Sequence, residues 1–249
     1  MIVWRALGRA LLALACAGLA GGCAGTETGN PSFEAELAYD AYSSDVSRVA
    51  LRSSGAGVEP GVTLVDAAWL VLGDVSLTRD CSAPAADAPV HATGIGEGDH
   101  AAQGRVVTAL AVTAGEYCGA HVPLVRAAQA NAAPAELSGH TILIAGVTPD
   151  GQSFRVLSGL QGSIDLKGKM PFEIGPGNDT VLVGFDLASW LAAIDWDTAL
   201  VENGMIAIDD AHNTELLGAF EAAVAAGTGL YRSDATAPID SANPLARGE

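Results

Sequence analysis

Positive charge is scarce in this 249-residue chain: 12 Lys and Arg stand against 29 Asp and Glu, for a formal net charge of −17. Such a chain repels phosphate backbones and anionic head groups, which argues against nucleic acid as a partner. Aromatic residues are also few, 5% of the chain, although apolar residues reach 49% and many of them are Ala. A core built from this composition should be well filled but made of small side chains. Long apolar runs are missing as well. Beyond the N-terminal region no stretch reaches the roughly 18 uninterrupted apolar residues of a membrane helix. The familiar catalytic signatures are absent in turn. No Gly-x-Ser-x-Gly elbow occurs, and no His-x-x-x-His stands beside a Glu. The glycine run 94–98 lacks the Lys and the following helix of a phosphate loop. The paired carboxylates Asp195 and Asp197, and Asp209 and Asp210, read as turns and helix caps in a chain this acidic. The expectation is a protein without catalytic residues and without a cofactor.

What is present begins at the N-terminus. Arg5 and Arg9 form a short basic region, and residues 10–19 are apolar but too few to span a bilayer. Leu19-Ala20-Gly21-Gly22 then lead into Cys23. A charged start, an apolar middle and a small-residue cleavage zone are the layout of an export signal, assigned to residues 1–22. A cysteine at the cut resembles the lipobox of bacterial lipoproteins, which implies lipidation of Cys23. The large aliphatic Leu19 lies four residues before that cysteine instead of three, and Cys16 is a second candidate. Residues 23–32, rich in Gly, Thr and Pro, are expected to form a flexible tether.

The remaining chain alternates with a period of two. Ala35, Leu37, Tyr39 and Ala41 interleave with Glu34, Glu36 and Asp40; Val71, Val75 and Leu77 share a parity; Cys118, Ala120, Val122 and Leu124 share another. Residues 141–147 read as a central strand, followed by a hairpin turn at Pro149-Asp150-Gly151. Two helices are expected near the C-terminus. One is capped by Asp186 and buries Leu187, Trp190, Leu191 and Ile194; the other starts after Asn213, buries Leu216, Leu217, Phe220 and Val224, and is ended by Gly227 and Gly229. The fold class is mainly β, an antiparallel β-sandwich of about eight strands over residues 33–232, with one or two short helices. Residues 233–249 are expected to be a disordered tail.

Export places Cys81 and Cys118 in an oxidising compartment, where a lone pair normally bridges. Each also continues the buried parity of its own strand. Between them, residues 82–104 form a long irregular loop holding His91, Glu97, Asp99 and His100, which His121 can approach. Imidazole and carboxylate together suit zinc or copper, so this cluster is the one candidate metal site, against the reading as ordinary polar surface.

The run Thr26-Glu27-Thr28-Gly29-Asn30-Pro31 behind Cys23 resembles the start of a large group of uncharacterised lipoproteins from large-genome Gram-negative bacteria. Gly115-Glu116-Tyr117-Cys118, the 185–191 segment and residues 213–231 are similar to that group as well. A broader β-sandwich lipoprotein domain of unknown function is also similar. The resemblance implies a lipid-anchored cell-envelope protein in the outer membrane. Such a protein would serve as a binding or structural module, with the membrane as one partner and an envelope protein or glycan as another. A periplasmic copper- or zinc-binding protein is the alternative.

Overall fold

Alternation along the chain becomes pleated strands wherever one face finds apolar cover. The computed structural model describes residues 32–51, 60–79, 93–95, 106–128, 134–177, 180–232 and 239–248. Its elements run β1 (Ser32–Tyr42), β2 (Val49–Leu51), β3 (Thr63–Leu72), β4 (Ser76–Thr78), β5 (Thr93–Ile95), β6 (Val106–Thr113), β7 (Gly115–Leu124), β8 (Ile142–Val147), β9 (Ser153–Ser158), β10 (Gly162–Ile174) and β11 (Thr180–Asp186). Then follow α1 (Leu187–Leu191), β12 (Met205–Ile208), α2 (Thr214–Ala226), β13 (Thr228–Arg232) and β14 (Ala246–Gly248). The protein is mainly β. Among the described residues no helix is long and apolar enough to cross a membrane.

The strands form one hydrogen-bonded network, ordered β12-β9-β8-β3-β7-β10-β14-β13-β11-β1-β6, with β2 and β5 also on β3 and β4 also on β7. It is mixed, not purely antiparallel as expected. β1 runs parallel to β11, β12 to β9, and β2 to β3. Periodicity reports which face is buried and nothing about a strand's partner, so direction is invisible to it. The strands described also number fourteen, not about eight. Several have only three or four residues, too short to show a period.

The expected β1 face holds: Ala35, Leu37, Tyr39 and Ala41 are buried, and Glu34 and Glu36 are exposed. β10 runs through all thirteen residues from Gly162 to Ile174, and its register against β7 shifts between Lys167 and Phe172. Both helices form, but Leu216 of the expected buried set is only half-buried, and Gly229 lies within β13 instead of ending the helix. The Asp186 side chain accepts from Ala188 N at the start of α1, and α2 buries Leu217, Phe220 and Val224. Trp190 packs edge-on to Phe185 and Phe220, at 5.7 and 6.0 Å, and ties both helices to the sheet.

The C-terminus corrects the expected tail. Residues 233–238 lie outside the described set, but β14 sits between β10 and β13. Leu245 N donates to Leu230 O at 2.7 Å, and Ala246 is buried in the main core. A three-residue strand with an arginine at its centre carries no pattern of its own. It is a strand because two neighbours present open edges to it.

Candidate functional site

Three backbone pairings bring the site together. The parallel β1–β11 register sets Tyr42 beside Asp186, β11–β13 sets Leu182 opposite Tyr231, and β13–β14 sets Gly229 opposite Arg247. Gly184 of β11 lies under both phenol rings: a Cβ there would stand 2.9 Å from the Tyr231 ring and 3.0 Å from that of Tyr42. Glycine is therefore what lets the rings settle on the strand. They meet edge to face at 6.0 Å, and their hydroxyls hydrogen-bond at 2.8 Å.

Around this pair lies a cleft of about 160 Å³, lined also by Ser44, Asp186, Ser189, Thr228, Ser241 and Arg247. It is smaller than the roughly 300–1,000 Å³ of drug-sized pockets, so its room is that of a small molecule at most. Asp186 is buried, and its carboxylate accepts from four donors. Ser44 N and Ala188 N donate to Oδ1 at 2.9 and 3.2 Å, while the hydroxyls of Ser44 and Ser189 donate to Oδ2, both at 2.5 Å. With two donors on each oxygen, the group is a clamp between the loop after β1 and the start of α1. Burial holds the Tyr42 proton far more tightly than usual, reinforced by the Tyr231 hydroxyl and the Asp186 charge and opposed by Arg247. Tyr42 is thus a neutral hydrogen-bonding phenol throughout the physiological range. Thr228 donates to Val224 O at 2.7 Å, which fixes the cleft wall to the end of α2.

The sequence-derived candidates fall elsewhere. Cys23, Cys81, His91, Glu97, Asp99 and His100 lie outside the described residues. His121 is on β7, opposite Asp165 of β10, and its Nδ1 is 2.7 Å from Asp165 Oδ1. Among the described residues no three His, Cys, Asp or Glu side chains group as a metal site. Cys118 is buried, with Sγ 3.3 Å from the Arg79 carbonyl oxygen. Asp195 caps a 3₁₀ turn at Asp197 N. Asp209 accepts from Ala211 N and His212 N and meets the His212 ring at 2.8 Å. Burial raises its pKa, but these hydrogen bonds outweigh that and the net shift is downward. Trp190 is core, and Trp196 leans on Phe154 at 4.8 Å.

Sequence reasoning reached only Asp186, and only as a helix cap. Tyr42, Tyr231 and Arg247 are separated by up to 205 positions and meet through strand order alone. The one available signal was an arginine standing in an acidic tail. Comparison of the chain with protein-family models, with curated proteins and with solved structures finds no match.

Proposed function

We propose that this chain is a lipid-anchored cell-envelope module whose Tyr42–Tyr231 cleft binds a small, hydroxyl-rich ligand such as one sugar unit of a glycan. The observation that carries the reading is the cleft's chemistry. Two phenols, three serines and a guanidinium surround a carboxylate whose acceptor sites are already filled. Phenol hydroxyls and serines both donate and accept, as ligand hydroxyls require, and ring edges give apolar contact to C–H surfaces. The same features favour binding over catalysis. A carboxylate whose oxygens are already held by four donors has no open position facing a substrate, and a phenol that holds its proton tightly is a poor acid or nucleophile. Copper or zinc binding keeps only His121 among the described residues, and that ring is engaged by Asp165.

The strand network is read as two layers closed over each other in a sandwich. Ile206 from one end of the strand order and Val112 from the other belong to the same buried cluster, which supports that reading. Anchoring rests on the export layout and on Cys23. Saturation-transfer NMR with a panel of neutral and acidic monosaccharides tests the binding. Signals on the sugar that are lost in Tyr231→Phe support it. A flat response across the panel refutes it. Intact-mass spectrometry of membrane-extracted protein tests the anchor: acyl chains on Cys23 are expected, and a soluble product cut later in the chain would exclude it.

A further inference from the structure

Arg247 is one of only 12 cationic residues in a strongly acidic chain, and it stands in the cleft wall. Its Nη2 donates to Ser241 O at 2.7 Å. Among the described residues no carboxylate pairs with it. A guanidinium carries five N–H donors in a planar fork, so most of this one's capacity is open. The cleft's own acid cannot use it, because the Asp186 oxygens are taken up by Ser44, Ala188 and Ser189. An exposed guanidinium with free donors, beside hydroxyl-bearing side chains, matches a ligand that has hydroxyls on one side and a planar anion on the other.

We propose that the cleft selects a saccharide unit bearing a single carboxylate, a uronic-acid type ring. Arg247 takes the carboxylate through its fork while the Tyr42–Tyr231 hydroxyl pair and the serines take the ring hydroxyls. This rests on the reading of the cleft as a sugar site and adds the charge of the ligand to it. A single carboxylate fits better than a phosphate or a polyanionic stretch. Asp186 lies in the same cleft and the whole chain is strongly negative, so each further negative charge on the ligand is repelled. The bidentate pairing of guanidinium with carboxylate is short-range and directional, and it acts where that long-range repulsion has already been overcome. Arg247 comes from β14, so the docked C-terminal strand supplies the acid-reading half of the site.

The experiment titrates the purified full chain with D-galacturonate, D-glucuronate, D-galactose and D-glucose, following amide shifts by NMR. The uronates are expected to bind about tenfold tighter than their neutral counterparts, the scale of one charge-assisted hydrogen bond. Arg247→Gln, which keeps the length of the side chain and removes its charge, should bring the uronates down to the neutral-sugar affinity. Arg247→Lys should retain part of the difference. Equal affinity for uronate and neutral sugar in the wild type overturns the acidic preference and leaves the sugar reading standing. Failure of all four sugars to bind the folded wild-type chain overturns both. Retention of the full preference by a folded Arg247→Gln removes Arg247 as its source.

Discussion

Asp186 shows most clearly how one side chain carries both structure and site. The sequence makes it legible as a helix cap, because an Asp before an apolar helical repeat has no better use. Its bonds to Ser44 are not legible, since they depend on β1 lying parallel to β11, 142 positions away in sequence. Replacing it separates the two roles. Asp186→Ala would leave two backbone N–H groups and two hydroxyls facing an apolar methyl, and the loss of stability should be about 3 kcal/mol or more. Asp186→Asn keeps an oxygen for Ser44 N and Ala188 N, while the serine hydroxyls can turn to accept from its amide. Its cost should be smaller, about 1–2 kcal/mol. Urea unfolding of both variants checks the order. Equal small losses would mean that the four bonds are not holding the loop after β1 to α1.

At the scale of the element, α2 and β14 stand at opposite ends of legibility. Leu217, Phe220 and Val224 recur at helical spacing and are buried as that spacing requires. The start of α2 is less ordinary. Asn213 adopts a left-handed conformation, and its side chain bonds Leu200 N, Leu200 O and Ala207 O instead of capping the helix. The sequence located the right residue and missed its task. β14 could not be found by any local pattern, yet it joins β10 to β13 and buries Ala246, while Ile239 packs against the buried cluster of Ala38, Leu182 and Tyr231. Deleting residues 239–249 should therefore uncover two strand edges and the cleft wall. With the burial of Ala246, Leu245 and Ile239 lost, the expected destabilisation is about 3 kcal/mol or more at roughly 1.5–3 kcal/mol per large buried side chain. Denaturant midpoints of full-length and truncated protein measure it, and limited proteolysis should cut the truncated form faster. An unchanged midpoint would show that the segment is dispensable to the sheet.

For the whole molecule, composition and periodicity were enough to give a mainly β chain, but not its core. The Ala content suggested small side chains, whereas the main cluster is built largely from Leu, Ile, Val and Phe around Trp190. The same two signals did not give its strand order, because three parallel pairings and several minimal strands leave no trace in local hydrophobicity. The lipid anchor and the proposed metal ligands of the loop lie outside the described residues. Of residues 82–104 only β5 (Thr93–Ile95) is described, a short strand paired with β3 where an irregular loop was expected, so β5 and the flanks of the loop are what bear on it. Those flanks converge. β4 pairs with β7 so that Thr78 lies opposite Gly119, and the carbonyl of the next residue, Arg79, reaches the sulfur of Cys118. The chain thus comes alongside Cys118 two residues before Cys81, and the guanidinium of Arg79 settles over the Tyr117 ring at 5.0 Å. This supports the proposed bridge between Cys81 and Cys118. Such a bridge closes a loop of nearly forty residues, and limiting that loop in the unfolded chain should stabilise the fold by about 4 kcal/mol in the chain-entropy model, less if the bridge is strained. Reductant should lower the unfolding midpoint of the wild type and leave that of a Cys81→Ser/Cys118→Ser variant unchanged. Each single serine variant should lose as much stability as the double, because either one opens the same loop. Cys118 is only 2% exposed, so a labelling reagent could miss it even when reduced, and Cys81 is the more telling position. A native, unreduced protein that takes up a thiol label at Cys81 would mean that no bridge closes the loop.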